Sequence, residues 1–232
     1  MTTSTVLVLF DIDGTLIRTD GAGIRGMNRA FKHIYGRDEV LADVPIAGRT
    51  DRAILRDGFA RIGVEADEQS FGALRDRYLS VLPDEIGRPA GPEFGVLPGV
   101  EAAISALESD PAFIVALLTG NFAKGAEIKL RFFDLWRRFA LGAYGDDHVD
   151  RRDLVPVAIE RARGTGRTPT HVVVIGDTPL DVDCAHAHGA IAVAVATGNY
   201  DRESLERTGA DEVVSTLEEL APLTRRLASL CA

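Results

Sequence analysis

The chain has 232 residues, 46% of them hydrophobic, and a mean hydropathy of +0.04, values of an ordinary water-soluble globular protein. Its 35 acidic against 26 basic residues give a formal charge of -9, which disfavours nucleic acid and acidic membrane surfaces as partners. The length admits one domain with a smaller insert or a single large α/β domain, and the two cysteines, Cys184 and Cys231, have neither zinc-site nor disulfide-framework spacing.

The first predicted element is the apolar run Val6 to Phe10, which has the length and composition of a buried strand. It is too short for a signal peptide and lacks a basic leader, and no stretch has the roughly 20 apolar residues that span a bilayer, so a cytoplasmic location is expected. Asp11-Ile12-Asp13-Gly14-Thr15 follows at once. Two carboxylates at i and i+2 of a strand end point to one side and repel unless a proton or cation intervenes. A divalent metal with oxygen ligands resolves that repulsion.

Between about Arg18 and Pro98 no strand is expected. Ala22 to Tyr35, Asp51 to Ile62 and Asp67 to Leu82 read as amphipathic helices, the first with Ile24, Met27, Ala30, Phe31 and Ile34 at helical spacing. Pro83 to Gly99 is rich in Pro and Gly and reads as a linker. The organisation is therefore 1–18 and 93–232 as an α/β body, with 19–92 as a helical insert. Downstream, strands over Phe113 to Thr119, Phe139 to Tyr144 (weaker), Val172 to Asp177 and Ile191 to Thr197 alternate with helices over Val100 to Leu107, Leu154 to Ala162, Asp181 to His188 and Thr216 to Ala228. Such alternation predicts a Rossmann-like parallel sheet with helices on both faces.

The strong strands end in chemistry. The first ends in Asp11, the second in Thr119-Gly120-Asn121, the fourth in Asp177, with Asp181 four residues on. Ligands of open parallel sheets bind outside the carboxyl ends of the strands, so an acid, a hydroxyl and a second acid are delivered to one edge.

Through Asp-x-Asp-Gly-Thr at 11–15, Thr-Gly-Asn at 119–121 and Gly-Asp-x-x-x-Asp at 176–181, the chain resembles the haloacid dehalogenase superfamily, in its phosphatase branch with a helical cap; it is similar to the phosphoglycolate phosphatase-like and β-phosphoglucomutase-like members. The resemblance implies strand order 5-4-1-2-3 and residues 19–92 as the cap. It implies Asp11 as a nucleophile forming an aspartyl-phosphate and Asp13 as general acid, then base. Mg²⁺ would be held by Asp11, the Asp13 carbonyl, Asp177, and Asp181 directly or through water. Thr119 would bond a phosphate oxygen, with the Gly120 and Asn121 amides facing it.

One motif departs from the pattern. The usual third motif is Lys-Pro, and this chain has none; spacing points to Arg151 and chemistry to Lys129 as the cation that serves Asp11 and the phosphate. In the insert, Arg49 resembles a cap residue that reaches the substrate, while Thr50 and Asp51 read equally well as plain helix caps or as functional groups. The five histidines read as structural or surface groups. The expected activity is Mg²⁺-dependent hydrolysis of a small phosphorylated metabolite, with a phosphomutase as the alternative and a catalytically silent binding protein behind both. A monomer is the default, with a dimer as the other option.

Overall fold

The computed structural model describes residues 5–88, 91, 94–220 and 223–231. Its centre is a six-stranded parallel sheet of β1 (Val6–Phe10), β4 (Phe113–Leu118), β5 (Gly142–Ala143), β6 (His171–Gly176), β7 (Ile191–Val195) and β8 (Glu212–Val214), in the order β5-β4-β1-β6-β7-β8. The five expected strands thus lie in the expected order, and β8 adds a sixth at the β7 edge, where the sequence showed only an approaching helix.

Register places the site. Phe10 of β1 is level with Leu117 of β4 on one side and Ile175 of β6 on the other. The residues that follow, Asp11, Thr119 and Asp177, therefore emerge side by side at one edge.

Both faces of the sheet are covered, because successive β1 side chains point to opposite sides. Val6, Val8 and Phe10 pack with Val100, Ile104 and Leu107 of α4 (Val100–Glu108) and Leu130 of α5 (Ala123–Phe132). Leu7 and Leu9 pack with Leu154 and Ala158 of α6 (Leu154–Gly164) and Val182 of α7 (Pro179–His186). A short α8 (Arg202–Glu206) precedes β8. The expected C-terminal helix from Thr216 is instead a 3-10 turn, Leu217–Leu220, followed by α9 (Leu223–Leu230); 221–222 lie outside the described residues.

The insert consists of α1 (Ala22–Tyr35), α2 (Asp51–Ile62) and α3 (Glu68–Ile86). The Thr50 and Asp67 side chains cap α2 and α3 by accepting from the Ala53 and Ser70 amides. Its apolar cluster includes Met27, Phe31, Leu55, Phe59 and Leu74. Phe59 lies edge-on to Phe31 at a 5.6 Å centroid separation. One member comes from outside the insert: Phe122, after β4, sits 6.0 Å from Phe71 and 6.3 Å from Tyr78.

Two expectations about this region are corrected. The linker does not begin at Pro83, since α3 runs through it to Ile86. Leu82 and Ile86 are fully buried, and the Glu85 carboxylate pairs with Arg25 and Arg29 of α1, which offsets the backbone hydrogen bond a proline cannot donate. Nor is the stretch strand-free: β2 (Ile17–Arg18) and β3 (Gly95–Val96) pair antiparallel where the chain leaves and re-enters the sheet body. The expected junction at 92–93 lies outside the described residues. Among the described residues no helix is long and apolar enough to cross a membrane.

Candidate active site

The strand edge and the insert enclose a cavity of about 490 Å³. Asp11, Asp13, Thr119, Gly120, Asn121, Lys129, Arg151, Asp177 and Arg49 all line it; Asp181 is buried directly behind.

Asp11 is buried, with its amide donating to the Ile175 carbonyl (2.9 Å) and its Oδ1 2.9 Å from Arg151 Nη2. Burial pushes its carboxyl up to about 6; Arg151 pulls it down, and Asp181 and Asp13 push it further up. Asp177 is held well above the ordinary carboxylate range by burial and then by Asp181 and Asp11. Asp11, Asp177 and Asp181 each offer an oxygen within 4.8 Å of the others. Three buried carboxylates at this spacing, with one guanidinium between them, retain an excess of negative charge that a hard divalent cation would neutralise. The donor set therefore fits Mg²⁺.

The surroundings of these acids differ. Asp177 is cradled by glycines: a Cβ at Gly198 would lie 1.7 Å from its Oδ2, and one at Gly14, where φ is +86°, 2.4 Å away. Thr15 Oγ1 donates to its Oδ1 at 3.2 Å. Asp181 is more fully engaged. Its Oδ2 accepts from the Thr178 amide (3.0 Å) and hydroxyl (2.7 Å), closing a capping box on α7, while its Oδ1 takes Arg151.

Asp13 belongs to a second network. Its Oδ2 accepts from Lys129 Nζ at 2.6 Å and Asn121 Nδ2 at 2.8 Å; Asn121 Oδ1 accepts from Lys129 at 2.7 Å, and Asn121 Nδ2 also reaches Thr119 Oγ1 at 2.8 Å. The two candidates for the missing third-motif lysine therefore occupy different posts. Arg151 holds Asp11 and Asp181, and Lys129 holds Asp13 and Asn121. Arg151 also donates to the carbonyls of Leu118 (3.1 Å) and, across to the insert, Gly48 (3.2 Å). Burial alone would lower its pKa, but Asp181 and Asp11 hold it above the ordinary arginine value.

The insert docks onto the loops after β4 and β5 by three hydrogen bonds, each with a backbone group of those loops. The Asp51 amide donates to the Gly120 carbonyl (2.7 Å), the Phe122 amide donates to Asp51 Oδ2 (2.9 Å), and Thr50 Oγ1 donates to the Val149 carbonyl (2.7 Å). A Cβ at Gly120 would lie 2.2 Å from the Arg49 carbonyl oxygen, so this approach requires glycine. Arg49 lines the cavity, but its Nη1 donates to Asp57 Oδ2 (2.8 Å) and the Pro45 carbonyl (2.9 Å).

Sequence reasoning leaves Asp51 open between a plain cap and a functional group. The structure buries it in the cavity wall, where burial pushes its carboxyl up to about 7 against the pull of Lys129 and the Phe122 amide. Only docking of the insert creates that burial, so the local sequence carries no signal of it. Gly198 was missed; it stands just past β7 at the same sheet edge, and the strand-end argument could have found it. Tyr78 is fully buried, and its hydroxyl has no hydrogen-bond partner among the described residues.

The family model for haloacid dehalogenase-like hydrolases matches residues 8–186. A phosphoglycolate phosphatase of Caulobacter vibrioides is 27% identical over 237 residues, covering 97% of this chain and 92% of its own. One from Synechococcus elongatus is 27% identical over 223 residues, with coverage of 95% and 97%. Among solved structures, that of a predicted phosphoglycolate phosphatase from Haemophilus somnus superposes with a TM-score of 0.69 at 18% identity, covering 97% of this chain and 99% of its own. At that identity the likeness shows the fold alone.

Proposed function

Because this chain belongs to the haloacid dehalogenase-like hydrolase family and is a hydrolase by that membership, we propose that it is a Mg²⁺-dependent phosphatase acting on a small phosphorylated metabolite through an aspartyl-phosphate on Asp11. The observation that carries this reading is the separation of the two strand-end acids. Asp11 lies among carboxylates under Arg151, and Asp13 turns to Lys129 and Asn121. Two adjacent carboxylates in different surroundings suit two different roles.

Asp11 attacks the phosphorus in line, and Asp13 gives a proton to the departing alkoxide oxygen. The alcohol leaves, water takes its place, and Asp13 removes the water's proton as its oxygen attacks the phosphorus of the acyl-phosphate; the bond from phosphorus to the Asp11 oxygen breaks, which restores the carboxylate and releases inorganic phosphate. Thr119, with the Gly120 and Asn121 amides, holds the phosphoryl oxygens. Arg151 keeps Asp11 ionised and Lys129 holds Asp13 in place. Asp11, the Asp13 carbonyl and Asp177 would hold Mg²⁺, with Asp181 directly or through water; the ion supplies charge neutralisation for the transferring phosphoryl group. Residues 19–92 act as a cap that excludes water from the cavity. Curated relatives being phosphatases supports the reaction class. A cytoplasmic setting goes with this reading, supported by the free thiols of Cys184 and Cys231.

Phosphate release from p-nitrophenyl phosphate and a metabolite panel, with Mg²⁺ and with EDTA, tests the proposal. Asp11→Asn should abolish turnover. Asp13→Ala should slow an alkyl phosphate by about 10²–10⁴-fold, the usual worth of a general acid–base. Metal-independent release, or isomerisation of a sugar phosphate without release, would replace this reading.

A further inference from the structure

The wall that the insert gives to the cavity is mostly apolar. Ile24 and Met27 of α1, Ile46, and Ile54 of α2 face it, and Met27 and Ile54 are almost fully buried. Its charges do not favour an anion. Among the described residues lining the cavity there are four cations, and each is engaged: Lys129 on Asp13, Arg151 on Asp11 and Asp181, Arg18 on the Thr197 carbonyl, and Arg49 on Asp57. Arg49 is the one the insert carries. It stands just before α2, Asp57 lies two turns into that helix, and the Arg49 side chain is 24% exposed against 47% for Asp57. Asp20 adds a carboxylate to the same wall, and Asp51 a buried acid.

From this arrangement we infer that the substrate's leaving group is an uncharged alcohol with an apolar face, and that Asp57 sets this preference by neutralising Arg49. The inference rests on the phosphatase reading above and specifies its substrate class. A guanidinium recognises a carboxylate by a two-pronged fork of N–H donors. Here one prong is committed to Asp57 Oδ2 and the Pro45 carbonyl. An anionic leaving group would meet four apolar side chains, two acids and a charge-cancelled arginine, and would lose hydration without a replacement cation. An uncharged alcohol loses little hydration and gains apolar contact with the same wall. Phosphoglycolate, whose leaving group carries a carboxylate, is therefore a poor substrate despite the names of the relatives. The Arg49–Asp57 pair is partly solvated, so the discrimination is a bias and not a block.

The test compares kcat/KM, with Mg²⁺ present, for n-propyl phosphate, 2-phosphoglycolate and O-phosphoethanolamine in the native protein, in Asp57→Asn, and in Asp57→Asn combined with Arg49→Met. The native protein should favour propyl phosphate over phosphoglycolate by about tenfold, the effect expected of one missing charge partner. Asp57→Asn should reduce that ratio at least about threefold by freeing the guanidinium, and the added Arg49→Met should restore it. A purely structural role for Asp57 would lower all three activities together and leave the ratio unmoved, which overturns the inference. A native preference for phosphoglycolate or for phosphoethanolamine overturns it as well. If p-nitrophenyl phosphate is hydrolysed while phosphoglycolate leads the series, this inference alone fails. If no ester releases phosphate, p-nitrophenyl phosphate included, the phosphatase reading fails and takes the inference with it.

Discussion

Arg151 is the residue on which most of the site's electrostatics turns. Removing one partner of a buried ion pair costs about 3–5 kcal/mol, because the other charge stays buried and uncompensated. Arg151→Met should therefore lower thermal stability sharply while Lys129→Met, whose partner Asp13 is more exposed, should lower it less. Arg151 also pulls the Asp11 pKa down. Its loss should move the acid limb of the kcat/KM profile to higher pH, since Asp11 would then need a higher pH to ionise; Arg151→Lys should return the limb part of the way. Asp51 permits a second prediction. Its folded pKa of about 7 lies above its ordinary value of 3.8. Between those values the unfolded chain gives up a proton that the folded chain keeps, so native stability falls as pH rises through this window and levels off above 7. Asp51→Asn removes that penalty and can still accept from the Phe122 amide. Its melting temperature relative to the native protein should improve by roughly 10 °C between pH 4 and pH 8. An unchanged difference across that range would show that Asp51 does not titrate as described.

At the scale of elements, two acids with different surroundings lie only four residues apart in sequence. Asp177 stands at the end of β6 in a glycine cradle, and Asp181 is built into the first turn of α7 as the third member of its capping box. Asp177→Asn should raise the Mg²⁺ concentration for half-maximal activity more than Asp181→Asn does. Asp181→Asn should lower the melting temperature more, since it loosens the cap and leaves Arg151 with one carboxylate fewer. A metal titration paired with thermal melts separates the two effects. The same contrast explains what the sequence revealed. Strand ends are local: Asp11, Thr119 and Asp177 could be placed because an apolar run, a turn residue and a polar side chain are contiguous. Helix boundaries at Pro83 and Thr216 were misplaced because long-range packing decided them, Glu85 with Arg25 and Arg29 in the one case and β8 beside β7 in the other. The posts of Lys129 and Arg151 were also beyond reach, since both side chains arrive from elements whose separation in space no spacing rule supplies.

For the whole molecule, the decisive contact between sheet body and insert is the Phe122 ring. It leaves the loop that carries Thr119, Gly120 and Asn121 and enters the apolar cluster of α1–α3. Truncating a buried phenylalanine typically costs about 3–5 kcal/mol. Phe122→Ala should reach that range and should also reduce turnover, because the insert no longer braces the loop. Phe59→Ala, buried wholly within the insert, should match the first effect with a smaller second one. Chemical denaturation and steady-state rates on the two variants make the comparison, and equal losses of turnover would deny Phe122 its bracing role.

The short β2–β3 ladder has a consequence for how such a molecule can be built and rebuilt. Arg18 and Gly95 face one another across an antiparallel pair, the geometry that a two-residue turn such as Asn-Gly closes without strain. The whole of 19–94 can then be cut out and the ends joined, leaving the parallel sheet and both of its helix layers in one unbroken chain. A different helical module could be spliced in at the same two residues. The ladder is a socket: under the proposed function it lets the part that would meet the leaving group be exchanged, and any replacement must also cover the Phe122 ring and brace the loop after β4 as the insert does.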